Sequence, residues 1–320
     1  MTANARLDGK VAIVTGGGRG IGRAHALRLA AAGAAVLVND LGSNTEGVGS
    51  DEGPAASVVK EIEATGGTAI ADTRDISDWT VVGSIVDSAV RAFGRLDIVV
   101  NNAGVGNFAS IEGETEAGWN RVLGVNLNGT AALIHWAAVH WRKAGPEGGR
   151  AIVNTSSPAG TNPMANMSAY CVSKAAVTAL AIAAAGELAE LGARINAITP
   201  IAQTRLTEIS KPFLPPSMLT EISPDHVSNL VHYLVSPLCD FTGRVFGVEG
   251  DDIYLYRGFS AETHVDNQGR PWSPEALVGA LADIDRQDRG HVMTPSFCVP
   301  TASPGDAVLA KLRAFGSDRS

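Results

Sequence analysis

Residues 11–22 read Val-Ala-Ile-Val-Thr-Gly-Gly-Gly-Arg-Gly-Ile-Gly, and this stretch decides the fold. Val11 to Val14 form an apolar run without alternation, which is typical of a strand buried on both faces. Gly16 to Gly22 follow, and Ala24 to Ala32 has apolar residues at helical spacing. A strand, a glycine-rich turn and a helix in this order predict a pyrophosphate-binding turn, because glycines let the backbone approach the phosphates at the helix N-terminus.

Strands and helices alternate through the first 250 residues. Further strands are predicted at Ala35–Asn39, Thr68–Ala71, Leu96–Val100, Ile152–Ser157, Arg194–Thr199 and Arg244–Val248. Helices are predicted at Ala55–Ala64, Ser77–Phe93, Thr115–Lys143, Tyr170–Leu188 and Pro224–Leu234. This order predicts a doubly wound, Rossmann-type parallel sheet of about seven strands in a three-layer α/β/α domain.

The last seventy or so residues are set apart from this alternation. They contain two short amphipathic helices, opened by Ser273-Pro274 and Ser303-Pro304. Two such helices bury too little apolar surface for a core of their own. We therefore predict a cofactor-binding and catalytic domain at 1–250 and a C-terminal extension at 251–320, which packs on the domain or on a neighbouring subunit.

Composition excludes several classes of function. The net charge is −8 without a basic block, so a nucleic-acid surface is not expected. Cys171, Cys239 and Cys298 are widely separated, and no C-x-x-C or H-E-x-x-H spacing occurs, which argues against a metal site and for a reducing compartment. The N-terminus lacks an apolar secretion core, and no apolar run approaches the roughly 20 residues of a membrane span. We expect a cytoplasmic protein.

A second stretch, Tyr170-Cys171-Val172-Ser173-Lys174, carries the candidate chemistry. Tyr170 and Lys174 are four residues apart and share one helical face. A phenol with a pKa of about 10 is a poor base at neutral pH, and an adjacent ammonium lowers that pKa by favouring the phenolate. The pair alone is common on helix surfaces, but Ser157 at the end of an upstream strand gives it a candidate partner.

Five motifs in this order resemble the short-chain dehydrogenase/reductase family over roughly residues 7 to 250. They are the glycine turn, Asn101–Gly104, Val125–Gly129, Ser157 and Tyr170–Lys174. The resemblance implies that Tyr170 is the catalytic base and that Ser157 binds the substrate oxygen. It implies that Lys174 holds the nicotinamide ribose and lowers the pKa of Tyr170. Asn126 would bend its helix and connect the site to water.

The resemblance also implies a nicotinamide cofactor. The candidate cofactor-binding residues are Gly16, Gly18, Arg19, Gly20, Ile21, Asp40, Asp75, Ile76, Asn102, Ala103, Gly104, Tyr170, Lys174, Pro200, Ile201 and Thr204. Asp40 ends the second strand, where a carboxylate accepts from ribose hydroxyls and repels a 2′-phosphate, so NAD is favoured over NADP. Arg19 argues weakly for NADP, and Asp40 as a simple loop cap stays an alternative. The resemblance places Asp75 and Ile76 beside the adenine. Asp75 could equally cap the helix from Ser77 to Phe93, and the two roles are compatible.

A narrower likeness concerns Asn39-Asp40-Leu41-Gly42 and the glycine-containing insertion that follows. It is similar to the dehydrogenase unit of peroxisomal multifunctional enzyme type 2, also called 17β-hydroxysteroid dehydrogenase type 4, and to actinobacterial relatives. Ile201, where the wider family commonly has glycine, agrees with this likeness. The implied activity is NAD-dependent hydride transfer with a 3-hydroxyacyl-CoA, by a homodimer or homotetramer without a metal or membrane partner.

Other functions remain open from the sequence. The substrate could instead be a steroid, another hydrophobic alcohol, or a 3-oxoacyl carrier protein. A protein of a different class, a non-catalytic NAD-binding sensor, is disfavoured because Ser157, Tyr170 and Lys174 are all present. Residues 206–222 contain three prolines and are predicted to form a mobile substrate lid.

Overall fold

The computed structural model describes residues 5–202 and 223–257, and single positions at 268, 271, 273, 274, 277, 280 and 281. Thr204, the predicted lid and the helix predicted from Ser303 lie outside the described residues. The chain divides into two units, Met1–Tyr256 and Arg257–Ser320. The division of the chain at residue 250 stays a prediction, and the fold is given below for the described residues of the first unit.

One sheet of eight strands organises the first unit, in the order β3-β2-β1-β4-β5-β6-β7-β8. The strands are β1 Val11–Thr15, β2 Ala35–Asn39, β3 Thr68–Asp72, β4 Ile98–Asn101, β5 Arg150–Thr155, β6 Ala193–Ile201, β7 Val245–Glu249 and β8 Asp252–Tyr256. The first seven pair in parallel, and β8 is antiparallel to β7. The doubly wound parallel sheet is confirmed.

The eighth strand corrects the expected count of about seven. Gly250 has a φ of +57°, a left-handed conformation that lets the chain reverse directly after β7. The next residues, Ile253 to Tyr256, are β-branched, aliphatic and aromatic, which suits a strand on the sheet edge. The acidic pair Asp251-Asp252 obscured this strand in the sequence.

The helices flank the sheet. They are α1 Gly20–Ala31, α2 Gly53–Ala64, α3 Trp79–Phe93, α4 Glu116–Leu123, α5 Thr130–Ala144, α6 Pro158–Thr161, α7 Ser168–Leu188 and α8 Pro224–Val235. A π-helical segment, Gly124–Gly129, joins α4 to α5, and a 3₁₀ turn, Ala189–Leu191, follows α7.

Two helical stretches, Glu116–Ala144 and Ser168–Leu191, are long and apolar enough for a membrane span, which the sequence analysis did not expect. Length and composition alone are weak support for a span, because helices that cover a sheet in a protein core meet the same test. Both stretches pack against strands of the parallel sheet.

The sheet order places the candidate site. Strand order reverses between β1 and β4, so the loops after these strands diverge and leave a crevice at the carboxyl edge. Asn101 Nδ2 donates to Asn154 Oδ1 at 2.8 Å and so ties β4 to β5. The Thr15 hydroxyl accepts from the backbone N–H groups of Asn102 and Ala103 at 3.1 and 3.2 Å. The crevice therefore has rigid walls.

His25 on α1 predicts an acid-sensitive fold. It is fully buried, and neither ring nitrogen has a hydrogen-bond partner among the residues that the structure describes. Burial lowers its pKa from 6.5 to about 3. As the pH falls below 6.5, His25 binds a proton in the unfolded chain but not in the folded protein. We expect this difference to lower the free energy of unfolding by about 2 kcal/mol at pH 5.

Urea unfolding of wild type and His25→Leu at pH 7 and pH 5 measures this. The variant should lose about 2 kcal/mol less than wild type between the two pH values. His135→Gln, an exposed site on α5, is the control and should keep the wild-type dependence. Equal losses in wild type and His25→Leu would contradict the assignment.

Candidate active site

Ser157, Tyr170 and Lys174 meet at the carboxyl end of β5. Ser157 caps α6, and its Oγ accepts from the backbone N–H of Ala159 at 3.2 Å. The Ser157 hydroxyl lies close enough to the phenol of Tyr170 to act on its pKa. Lys174 Nζ lies 5.7 Å from the centroid of the Tyr170 ring and donates to the carbonyl of Thr155 at 2.8 Å. The structure thus brings the three predicted catalytic side chains together.

The pKa values of Tyr170 and Lys174 differ from what the resemblance implies. Burial raises the pKa of Tyr170, and the hydrogen bond from Ser157 opposes this change. Burial also lowers the pKa of Lys174 to about 8. The predicted lowering of the Tyr170 pKa by Lys174 is therefore not found in the protein alone, because desolvation dominates and the ammonium is directed to the Thr155 carbonyl.

Asn126 lies within the π-helical segment and is almost fully buried. Its Oδ1 accepts from the Val105 N–H at 2.8 Å, and its Nδ2 donates to the Val105 carbonyl and to Ser173 Oγ, both at 3.0 Å. These bonds satisfy the buried amide. The irregular helix agrees with the predicted bend, since π segments interrupt α-helices at functional sites. Its connection to water stays a prediction.

Gly104 lies between Asn126 and Lys174. A Cβ added there would lie 3.2 Å from Lys174 Nζ and 3.4 Å from Asn126 Oδ1. A side chain at this position would crowd both polar groups. Glycine therefore leaves Lys174 and Asn126 adjacent to one small space.

Two residues of this cluster were missed by the sequence analysis. Ser173 Oγ donates to the carbonyl of Tyr170 at 2.8 Å and accepts from Asn126, so it joins the π segment to α7. Its position three residues after Tyr170, on the same helix face, was an available signal. Thr155 acts through its backbone carbonyl on Lys174. A backbone contact of this kind has no signature in residue type.

The glycine turn fits a pyrophosphate. Gly16 has a φ of +60°, and an added Cβ would lie 2.8 Å from Ala103 Cα. Gly20 also has a positive φ, of +53°, and Ile21 follows it in the first turn of α1. Arg19 at the N-cap makes no side-chain cap, and the first turn has no acidic residue. The first N–H groups of α1 are thus available to an anion.

Asp40 faces this turn. Its Oδ2 accepts from the Gly18 N–H at 2.8 Å, and its Oδ1 accepts from the Gly42 N–H at 2.7 Å. An added Cβ at Gly18 would lie 2.8 Å from Asp40 Oδ2, so only glycine permits this approach. Asp40 therefore acts as a loop cap, and each oxygen retains a second lone pair for a ribose hydroxyl. The backbone N–H groups of the turn and the carboxylate oxygens of Asp40 together fit a dinucleotide.

Asp75 and Ile76 follow β3. Asp75 is exposed, and its Oδ1 accepts from the Ser77 N–H at 2.8 Å. The alternative that Asp75 caps the next helix is wrong, because α3 begins at Trp79 and Asp78 is the cap, accepting from Thr80 N. Ile76 is buried and packs against Gly129. A Cβ added at Gly129 would lie 2.9 Å from Ile76 Cδ1.

The remaining candidates follow β4 or lie at the end of β6. Asn102 Nδ2 donates to the carbonyls of Thr15 and Gly16 at 3.1 and 3.2 Å, which supports its structural role. Pro200 and Ile201 end β6, where they pair with Val248 and Glu249, so this strand runs farther than predicted. Ile201 is buried. Thr204 lies outside the described residues.

Cys171 and Cys239 are buried free thiols. Among the residues that the structure describes, no group of three or more histidine, cysteine or acidic side chains is placed to hold a metal ion.

Comparison with known proteins identifies the family. The family model for short chain dehydrogenases matches residues 10–214. A hydroxyacyl-CoA dehydrogenase of Mycobacterium tuberculosis, ChsB1, is 37% identical over 88% of this chain and 90% of its own length. Peroxisomal multifunctional enzyme A of Dictyostelium discoideum is 39% identical over 97% of this chain. The chain spans 66% of that longer enzyme.

Solved structures agree. A short chain dehydrogenase from Mycobacterium avium has a TM-score of 0.78 and 40% identity, over 88% of this chain and 96% of its own. Two others are complexes with different cofactors. A 7α-hydroxysteroid dehydrogenase with NADH is 32% identical, with a TM-score of 0.67 over 77% of this chain and 95% of its own. A short chain dehydrogenase from Burkholderia cenocepacia with NADP is 33% identical, with a TM-score of 0.67 over 77% and 98%.

With the glycine turn, the Ser157, Tyr170 and Lys174 cluster and these matches in place, the chain belongs to the short-chain dehydrogenase family of NAD(P)-dependent oxidoreductases that act on CH–OH groups.

Proposed function

We propose that this protein oxidises the secondary alcohol of a 3-hydroxyacyl-CoA, reversibly and with NAD. The convergence of Ser157, Tyr170 and Lys174 beside the glycine turn supports the chemistry. The likeness to a hydroxyacyl-CoA dehydrogenase over nearly the whole of both chains supports the substrate class. A steroid alcohol is the second candidate, because a 7α-hydroxysteroid dehydrogenase is among the similar structures.

In the proposed mechanism, Ser157 hydrogen-bonds the substrate oxygen and holds the alcohol against the phenol. Tyr170 removes the hydroxyl proton in the oxidation and returns it in the reverse reaction. A nicotinamide cofactor, which the glycine turn and Asp40 would hold, would supply the hydride acceptor and a positive charge that favours the phenolate. Tyr170 and Lys174 are buried, which strengthens the electrostatic contributions at these two side chains.

Lys174 and Asn126 have supporting roles in this proposal. Lys174 is anchored by Thr155, from where its ammonium is available to the nicotinamide ribose. Asn126 fixes the loop after β4 to α7 through Val105 and Ser173. It also lies close to Lys174 across Gly104, which supports a role in proton exchange with solvent.

The substrate class is tested with purified protein and NAD. We would compare kcat/KM for a 3-hydroxyacyl-CoA, the matching free 3-hydroxy acid, the matching acyl carrier protein thioester and a hydroxysteroid. The proposal expects the CoA thioester to have the highest kcat/KM. A hydroxysteroid that exceeds the thioester would replace the first candidate by the second, and turnover of the carrier-protein thioester alone would contradict both.

Asp40 sets the cofactor preference in this proposal. Its carboxylate stands where the adenosine ribose is expected, so a 2′-phosphate would meet a like charge. We expect Asp40→Ser to change the ratio of kcat/KM for NADP to that for NAD by about 100-fold in favour of NADP. Serine is smaller than aspartate and polar, so it fits beside Gly18 without a clash, which limits disturbance of the turn.

The control for Asp40→Ser is Glu63→Gln, which removes one negative charge from an exposed position on α2. It should leave the ratio unchanged. A ratio that stays at the wild-type value in Asp40→Ser would contradict the role of the carboxylate.

A further inference from the structure

One residue of the glycine turn, Arg19, carries a charge that would favour NADP. Arg19 is the single cation between Thr15 and Gly22, and its guanidinium suits bidentate binding of a phosphate. Asp40, whose carboxylate contacts Gly18 of the same turn, disfavours that phosphate because both are negatively charged. The two charges therefore favour different cofactors, and the environment of Arg19 decides how far they conflict.

The structure engages Arg19 with the insertion loop, residues 41–52. Arg19 Nη1 donates to the carbonyl of Ser43 at 3.2 Å. Its Nη2 lies 3.7 Å from Asp51 Oδ2. The guanidinium is thus directed toward the loop by one hydrogen bond and one ion pair.

Asp51 is held in place for this contact. Its backbone N–H donates to the carbonyl of Leu41 at 3.0 Å, and its Oδ1 accepts from the Gly53 N–H at 2.9 Å. Gly42 lies directly against it, since an added Cβ there would be 2.0 Å from the Asp51 carbonyl oxygen. Gly42 also donates to Asp40 Oδ1 at 2.7 Å. Gly42 therefore contacts both the carboxylate of Asp40 and the backbone of Asp51.

We propose that Asp51 is a specificity-determining residue, which pairs with Arg19 and withholds its guanidinium from a 2′-phosphate. This inference rests on the NAD preference proposed above and explains how a turn that contains arginine keeps it. Asp51 adds its negative charge to that of Asp40 on the side where the phosphate would lie. Asp40 excludes the phosphate directly, and Asp51 removes the cation that would attract it.

The exposure of Arg19 and Asp51 sets how much their ion pair can change the affinity for NADPH. The side chains of Arg19 and Asp51 are 31% and 60% exposed. Ion pairs at such exposure shift equilibria by only a few-fold, because water screens them. We expect Asp51→Asn to lower the Kd for NADPH by about threefold to fivefold, while the Kd for NADH changes by less than about twofold. Asparagine retains an oxygen that accepts from Gly53, so the loop keeps its anchor.

The test measures both dissociation constants by nucleotide fluorescence at one ionic strength, which requires no substrate. Glu52→Gln is the matched control, because it removes the same charge one residue farther on, from a side chain that makes no helix-cap hydrogen bond. The double variant Arg19→Gln, Asp51→Asn should lose the gain in NADPH affinity. That loss would assign the gain to release of Arg19.

Two results would overturn the proposal. One is an Asp51→Asn variant whose NADPH affinity matches that of Glu52→Gln. The other is a gain that persists when Arg19 is also replaced. Tighter binding of NADPH than NADH by the wild type would instead refute the NAD preference itself. The wild type thus tests the NAD preference, and the Asp51 variants test the role of Asp51.

Discussion

Replacement of Tyr170 by phenylalanine is expected to lower kcat by about 10²- to 10⁴-fold, the range for loss of a positioned general base. The phenol oxygen is the atom that exchanges the proton with the substrate, and Ser157 alone has too high a pKa to replace it. The ring stays, so the packing of α7 against Val105 and Ala159 is retained. The Kd for NADH should therefore change by less than about twofold.

The control for this variant is Tyr233→Phe on α8, a tyrosine with 37% of its surface exposed. It should retain wild-type kcat. Tyr170→Phe with more than about a tenth of wild-type kcat would remove Tyr170 from the role of base. A large loss of NADH affinity in the same variant would instead place its main role in binding.

Lys174→Met is expected to have opposite effects on activity and stability. Removal of the ammonium should lower kcat/KM by about 10²- to 10³-fold, because the proposed contact with the nicotinamide ribose is lost. Burial has lowered the pKa of Lys174 to about 8, so the folded state holds the charge less favourably than the unfolded chain. For this group, stability falls as the pH falls from 10.5 through 8.

Methionine fills similar space without charge, and it leaves only the Thr155 carbonyl without its donor. We therefore expect Lys174→Met to raise the free energy of unfolding at pH 7 by about 1–2 kcal/mol, measured by urea denaturation. Lys143→Met, exposed on α5, is the matched control and should change neither quantity. A less stable Lys174→Met protein would contradict the assigned cost of burying this ammonium.

The sequence predicted most of the fold because its signals are local. Val11–Thr15 and the other parallel strands are apolar runs that bury both faces, and the glycine turn marks the strand order reversal. The eighth strand was missed because it depends on a chain reversal at Gly250 and on pairing with β7. The helix cap was misplaced because Asp75 and Asp78 are both acidic residues near the start of α3, and only geometry separates them.

The candidate site was predicted as a set of residue types, and the structure adds their contacts. The placement of Tyr170, Lys174 and Ser157 together follows from motif spacing. The direction of the Tyr170 pKa does not, because it depends on how burial compares with a charge 5.7 Å from the ring. The pairing of Arg19 with Asp51 depends on the path of the insertion loop, which no residue pattern encodes.

The most direct test of the central claim follows the hydride. A 3-hydroxyacyl-CoA that carries deuterium on the hydroxyl-bearing carbon is incubated with wild-type protein and NAD, and the NADH formed is analysed by mass spectrometry. Transfer of the deuterium to NADH, absent in Tyr170→Phe, is the result that we predict. NADH without the label, or no NADH with any CoA thioester although NAD is bound, would contradict hydride transfer from this class of substrate.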